Sequence, residues 1–127
     1  MLINRFWAPK ENVLIVDDIK VFVPSKNFND STEFYSDLGF INEYVSDDIS
    51  IFENGECSFF LQRFYNKQLA ENLMLQICVL DIESAFKIAN VARHKQKITP
   101  IKDEPWAKVF YLWGPVGELL HVTQLGD

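Results

Sequence analysis

His121 is the residue in this sequence whose type and setting most readily suggest chemistry. It is one of two histidines, and it lies in the stretch WGPVGELLHVTQ, where a Gly-Pro turn leads into an apolar strand-like run. Alternation along a strand places Leu119, His121 and Thr123 on one face, opposite Leu120 and Val122. Three interpretations stay open: His121 lines a ligand pocket, is a hydrogen-bonded structural residue, or ligates a metal ion.

The remaining nucleophiles form no readable catalytic arrangement. No serine or cysteine is spaced for a partnership with a second histidine, and the sequence has no glycine-rich phosphate loop. Cys57 and Cys78 lie in apolar runs without CxxC spacing, so we expect buried, reduced thiols, as in cytoplasmic proteins. His94 follows a predicted helix among basic residues, and we expect it at the surface.

Several predicted strands carry side chains that would form an apolar cup with His121. Such a lining, apolar with a few polar groups, is typical of small-molecule pockets, although plain core packing gives the same pattern. We expect one cavity in which His121 faces these residues: Lys20, Phe22, Phe60, Gln62, Met74 and Gln76. Trp106 and Trp113 flank the next predicted strand, where they would stack on a planar or cationic ligand, or anchor a core or a dimer interface.

The elements that position these residues repeat along the chain. A strand over 19–25, a helix capped by Asn29 or Asp30 and ended by Gly39, and strands over 40–46, 49–54 and 57–65 form one unit. A strand over 73–80, a helix capped by Asp81, and strands over 98–102, 108–113 and 118–123 form another. The sequence therefore predicts a single α+β domain over 1–127. It has two βαβββ modules (14–65 and 73–124) curled into a cup-shaped mixed sheet, with helices on the outer face. Residues 1–13 form an extra arm, in which Phe6 and Trp7 would dock on an apolar surface.

Composition excludes some partners. The net charge of −6 argues against nucleic-acid binding, which needs a basic face, and leaves either a solvated acidic surface or attraction of a cationic ligand. The sequence shows no apolar run of signal-peptide or membrane-spanning length. We expect a cytoplasmic protein that binds neither nucleic acid nor a membrane.

Three stretches resemble the vicinal oxygen chelate superfamily, also called the glyoxalase/bleomycin-resistance/dioxygenase fold. They are VFVPSKNFNDSTEFYSDLGF, with the signature at Ser31, Phe34, Tyr35 and the Leu38–Phe40 run, ICVLDIESAF at the matching element of the second module, and EPWAKVFYLWGPVGELLHV. The resemblance implies that metal enzymes of the superfamily would place ligands at Lys20, Met74, His121 and around 60–62. Only His121 is a good donor there, since Lys20 lacks a lone pair and a thioether suits soft ions. The expectation is therefore no metal and no cofactor.

The last hairpin is similar to that of bleomycin-resistance-type proteins, which carry histidine where the enzymes carry a carboxylate. The matching residues are Pro105, Trp106, Pro115, Gly117 and His121, and the departures are Ala107, Gly114 and Glu118. Gly114 replaces the usual Asp, so we expect weakened turn hydrogen bonds. The resemblance implies a metal-free homodimer that sequesters a small organic drug and confers antibiotic resistance.

Two alternatives stay open. One is a metal-dependent lyase, isomerase or dioxygenase of the same superfamily. The other is a protein of this fold whose own Phe and Trp side chains fill the pocket.

Overall fold

The computed structural model describes residues 12–126, so most of the predicted arm, with Phe6 and Trp7, lies outside the described residues. The first module contains β1 (Phe22–Pro24), α1 (Phe28–Asp37), β2 (Ile41–Ser46), β3 (Ile49–Asn54) and β4 (Cys57–Gln62). After the connecting helix α2 (Lys67–Asn72), the second module contains β5 (Met74–Cys78), α3 (Ile82–Asn90), β6 (Lys97–Ile98), β7 (Lys102–Glu104), β8 (Ala107–Trp113) and β9 (Leu119–Leu125). The predicted α+β class and the repeated order of elements are confirmed.

Each module forms its own mixed sheet with the same connectivity. The strand orders are β1-β4-β3-β2 and β5-β9-β8-β6, with β7 also pairing with β8. In both sheets the first strand runs parallel to the last, which aligns Phe22 with Phe60 and Gln76 with His121. The repeat predicted from the sequence is therefore a repeat of topology as well as of element order.

The helix ends follow the local chemistry, with one shift from prediction. Asp81 caps α3 as predicted, and its carboxylate accepts bonds from the backbone N–H groups of Glu83 and Ser84. The cap of α1 is Asn27, whose side-chain oxygen accepts from Asp30 N at 3.0 Å, rather than Asn29 or Asp30. The helix therefore starts earlier, and Asp30 falls in its first turn, where a carboxylate is favourable.

Strand boundaries differ from prediction where the backbone chemistry changes. The predicted strand 98–102 divides into β6 and β7 around Pro100, which has no N–H to donate to a ladder. The hairpin expected at Asn54-Gly55 has Gly55 and Glu56 as its two loop residues. Gly55 takes a φ of +61°, which suits the first loop position of a type II′ turn.

The helices cover one face of each sheet, and these two faces share one core. Helix α1 lies on the face of Phe52, Phe59 and Leu61, with the Tyr35 ring 4.9 Å from that of Phe59. Helix α3 covers the corresponding face of the second sheet, where the Phe86 ring meets that of Phe110 edge-on at 5.3 Å. Buried side chains of both modules join in a single cluster there.

The parity of β9 is also as predicted. Leu120 and Val122 are buried in the shared core beneath α3. His121 is therefore on the opposite face of the second sheet.

Candidate functional site

The face of the second sheet that points away from α3 carries a shallow cavity of about 470 Å³. We call it the His121 face. It is built from alternate positions on three neighbouring strands, and its lining residues are Met74, Tyr111, Trp113, Leu119 and His121. The volume lies within the range of about 300–1,000 Å³ that is common for ligand pockets.

His121 is held in this face by an aromatic neighbour and by a hydroxyl. Its ring centroid lies 4.9 Å from that of Tyr111, and its Nδ1 is 3.3 Å from the Thr123 hydroxyl. Gln76 Nε2 lies 3.4 Å from the same hydroxyl, at the long end for a hydrogen bond. His121 is half-buried, so one edge of the imidazole is available to a ligand.

The two tryptophans have different environments. Trp113 lines the cavity, and the Lys97 ammonium lies 5.0 Å from its ring centroid. Trp106 is exposed in the turn between β7 and β8, where its carbonyl accepts from Gly126 N. Trp106 is therefore outside the cavity formed by one chain.

The remaining predicted residues lie on the first sheet, on a surface that we call the Phe60 face. Phe22 and Phe60 are paired across β1 and β4 with ring centroids 4.8 Å apart, and Gln62 follows on the same face. Lys20 precedes β1 and forms an ion pair with Asp18. Phe22 is 46% exposed, a large fraction for a phenylalanine in a sheet.

One chain does not bring these two faces together. Each face is the reverse of a helix-covered face, and the helix-covered faces meet in the shared core. The Phe60 face and the His121 face therefore point to opposite outer sides of the chain. The residues expected to line one cavity therefore lie on two separate faces of the chain.

The donor chemistry of these residues does not fit the superfamily's metal ion. Lys20 is an ammonium engaged by Asp18, Met74 is a thioether, and His121 is the one strong nitrogen donor on its face. Within residues 12–126, three metal-type ligands cluster at Asp30, Glu33 and His94 instead. That cluster lies at the start of α1, away from both faces, and Arg93 also pairs with its Glu33 at 3.3 Å. His94 is exposed, as the sequence predicts.

Glu118, which the sequence marked only as a departure from the family pattern, is a buried acid. Its carboxylate accepts a 2.7 Å bond from the Tyr35 hydroxyl and a 2.9 Å bond from Val116 N, so it links the first module to the last turn. A side chain at Gly114 would meet it, because a Cβ built there lies 2.4 Å from the Glu118 carboxyl carbon. The expectation of a weakened turn is therefore wrong: the carboxylate missing at 114 is supplied from 118.

Burial governs the ionisation of this pair. It raises the pKa of Glu118 above the ordinary value of 4.5, although the bonds from Tyr35 and Val116 act in the opposite direction. Burial, together with the Glu118 charge, raises the pKa of Tyr35 well above 10. A carboxyl group with a raised pKa favours the folded state at low pH, and this contribution is lost as the pH rises through the folded-state pKa.

Replacing Glu118 with glutamine should therefore change how stability depends on pH. We expect the melting temperature of Glu118→Gln, relative to the unmodified protein, to rise between about pH 5 and pH 8, because the amide does not ionise. Differential scanning fluorimetry across this range provides the measurement. This pH range lies above the range in which Asp37 titrates, because hydrogen bonds from Arg93 lower the pKa of the Asp37 carboxyl to about 2. A difference that stays constant with pH would contradict this account of Glu118.

The cysteines also differ from prediction. Cys57 and Cys78 are both free, as expected, but they are exposed rather than buried. Cys57 opens β4 beside the hairpin loop, and Cys78 ends β5, which is the edge strand of its sheet.

Sequence reasoning missed two residues of the His121 face, Tyr111 and Leu119. Alternation along β8 places Tyr111 on the same face as Trp113. Alternation along β9 places Leu119 on the same face as His121, but the sequence suggested no role for it. The strand alternation that located His121 could therefore also have located Tyr111.

Comparison with known proteins assigns the fold. No protein-family model matches the sequence, and no curated protein matches it. Solved structures match closely in shape, and they define the glyoxalase/bleomycin-resistance/dioxygenase fold, which the sequence resemblance predicted.

Three of these structures are proteins that bind antibiotics or confer resistance to them. The bleomycin resistance determinant encoded on transposon Tn5 has a TM-score of 0.72 and 18% identity, covering 88% of this chain and 100% of that chain. The bleomycin-binding protein of Streptomyces verticillus, complexed with copper(II)-bleomycin, has a TM-score of 0.70 and 18% identity, with coverages of 89% and 100%. TnmS3, an antibiotic-binding protein from Streptomyces sp. CB03234, has a TM-score of 0.73 and 15% identity, with coverages of 90% and 100%. Within residues 12–126, no helix has the length and apolar character needed to span a bilayer.

Proposed function

We propose that this protein is a cytoplasmic, metal-free homodimer that sequesters a small organic drug in grooves shared between its two subunits. The observation that carries the proposal is the His121 face, an aromatic cavity that has the volume of a ligand pocket but lacks a metal-donor set. The solved structures of the same fold include proteins that bind bleomycin and other antibiotics.

The chemistry of the His121 face suits a planar or cationic ligand. Tyr111 and Trp113 offer aromatic surface, part of which the Lys97 ammonium already covers, and a cation over a free ring face gains about 0.5–2 kcal/mol. His121 and Gln76 add hydrogen-bonding groups beside them. The net charge of −6 attracts a cation and disfavours nucleic acid.

A second copy of the chain would complete the groove. The Phe60 face has the same apolar character as the His121 face, with Phe22 half-exposed beside Phe60. Met74 is 62% exposed on the His121 face. Pairing the Phe60 face of one subunit with the His121 face of the other would cover these side chains and close the cavity. A two-fold axis would then produce two such grooves.

The proposal is tested by titrating chelator-treated protein with metal-free bleomycin. We expect saturable binding without added metal, and we expect His121→Ala to weaken it at least tenfold. The substitution removes a half-buried ring that stacks on Tyr111, so it should lower the free energy of unfolding by only about 1 kcal/mol.

His94→Ala is the matched control, since that histidine lies outside both faces and should leave binding unchanged. Near-stoichiometric binding of a divalent metal by the drug-free protein would favour the metal-dependent enzyme instead. A stability loss above about 3 kcal/mol in His121→Ala would mark the residue as structural.

A further inference from the structure

A second concave surface lies between the two modules, on the helix side of both sheets. We call it the module cleft, and its volume is about 470 Å³. It is bordered by the end of α1, the β3–β4 hairpin, β5 and α3. Its lining includes Phe40, Cys57, Ile77, Ala85, Phe110 and Val122.

The module cleft is separate from the proposed drug site. Phe110 and Val122 point to the helix side of the second sheet, whereas Tyr111 and His121, one residue away on the same strands, point to the other side. A molecule in the module cleft would therefore touch the opposite surface of the sheet from a molecule on the His121 face.

Two of the polar groups that border the module cleft are engaged by the protein itself. The Asp81 carboxylate accepts the two bonds that cap α3, and the Asn54 amide donates to the Gly39 carbonyl at 3.3 Å. The remaining surface is mainly aliphatic and aromatic. Covering this apolar surface with an apolar molecule removes it from water, which is favourable.

We infer that the module cleft is a second ligand site, which takes a small uncharged apolar molecule. Because both modules contribute to the lining, such a ligand bridges them and stabilises the folded chain by mass action. Cys57 borders the cleft and is exposed, so its thiol reports occupancy directly.

The test uses the uncharged dye N-phenyl-1-naphthylamine. We expect saturable fluorescence enhancement with one site per chain, and at least a tenfold loss of affinity in Ala85→Phe, where the new ring fills the cleft. Lys87→Phe is the matched control, because it adds the same ring to an exposed position on α3 outside the lining. In a Cys78→Ser variant, whose single thiol is Cys57, the dye should slow alkylation by iodoacetamide at least fivefold. This second readout does not depend on Ala85→Phe folding.

The two proposed sites fail separately. His121→Ala should weaken bleomycin binding and leave dye binding unchanged, while Ala85→Phe should do the reverse. The inference is overturned if the dye gives no saturable signal, if it leaves the alkylation rate of Cys57 unchanged, or if His121→Ala rather than Ala85→Phe abolishes its binding. If the unmodified protein does not bind bleomycin, the proposed function is overturned, but the inference about the module cleft is not.

Discussion

Gly114→Asp should be strongly destabilising, although aspartate is the residue that bleomycin-resistance-type sequences usually place there. The new Cβ would lie 2.4 Å from the carboxyl carbon of Glu118, which is fully buried and held by Tyr35 and Val116. The substitution also places a second carboxylate beside a buried one. We expect the free energy of unfolding to fall by about 3 kcal/mol, at the upper end for overpacking.

Adding Glu118→Asn should restore part of this loss, since it also removes the carboxylate that accepts from the buried Tyr35 hydroxyl. The shorter amide vacates the space beside position 114, and the new aspartate can then accept the turn's hydrogen bonds in the usual way. The two substitutions should be coupled by at least about 1 kcal/mol in a double-mutant cycle measured by urea denaturation.

A control substitution separates this clash from a general intolerance of side chains at glycine positions. Gly126→Ala places its Cβ 3.4 Å from the nearest atom, at ordinary contact distance, so stability should hardly change. If Gly114→Asp lowers the free energy of unfolding by the same amount with and without Glu118→Asn, then Glu118 does not stand in for an aspartate at position 114.

A heterodimer of a Phe60→Ala chain and a His121→Ala chain should have a drug site of unmodified affinity, which neither variant homodimer should have. If each groove joins the Phe60 face of one subunit to the His121 face of its partner, Phe60→Ala and His121→Ala each damage both grooves of a homodimer. A heterodimer of the two variants contains one groove with both substitutions and one with neither. We therefore expect bleomycin to bind the heterodimer at half the unmodified number of sites, with unmodified affinity.

The experiment requires two different affinity tags, so that the heterodimer can be isolated from coexpressed chains. Sedimentation should give twice the mass of one chain for every variant. A heterodimer with no site of unmodified affinity would mean that each groove is formed within one chain. A monomer in sedimentation would remove the shared groove altogether.

Features that depend on strand alternation, and two of the helix ends, could be predicted from the sequence. Leu120 and Val122 are apolar in a strand that follows a turn, so their burial and the opposite direction of His121 could be predicted. The cap at Asp81 and the helix stop at Gly39, which takes a φ of +102°, follow equally from local chemistry.

Contacts between distant segments were beyond sequence reasoning. The bond between Tyr35 and Glu118 joins residues 83 positions apart, and no local pattern shows that the two helix-covered faces meet. For the same reason, parity placed Phe60 and His121 each on the correct side of its own sheet but left their mutual distance undetermined. Whether the two modules pair within one chain or across a dimer could therefore not be predicted from the sequence.

The shared core has a consequence for how the chain can be divided. Each module has the order of a complete unit, yet buried side chains of both modules join in one cluster. Phe52 and Phe59 from one half, and Phe110 and Leu120 from the other, belong to this cluster, so either half alone would lose part of the cover of these side chains. We therefore expect that neither half of the chain folds stably by itself, although the order of elements repeats.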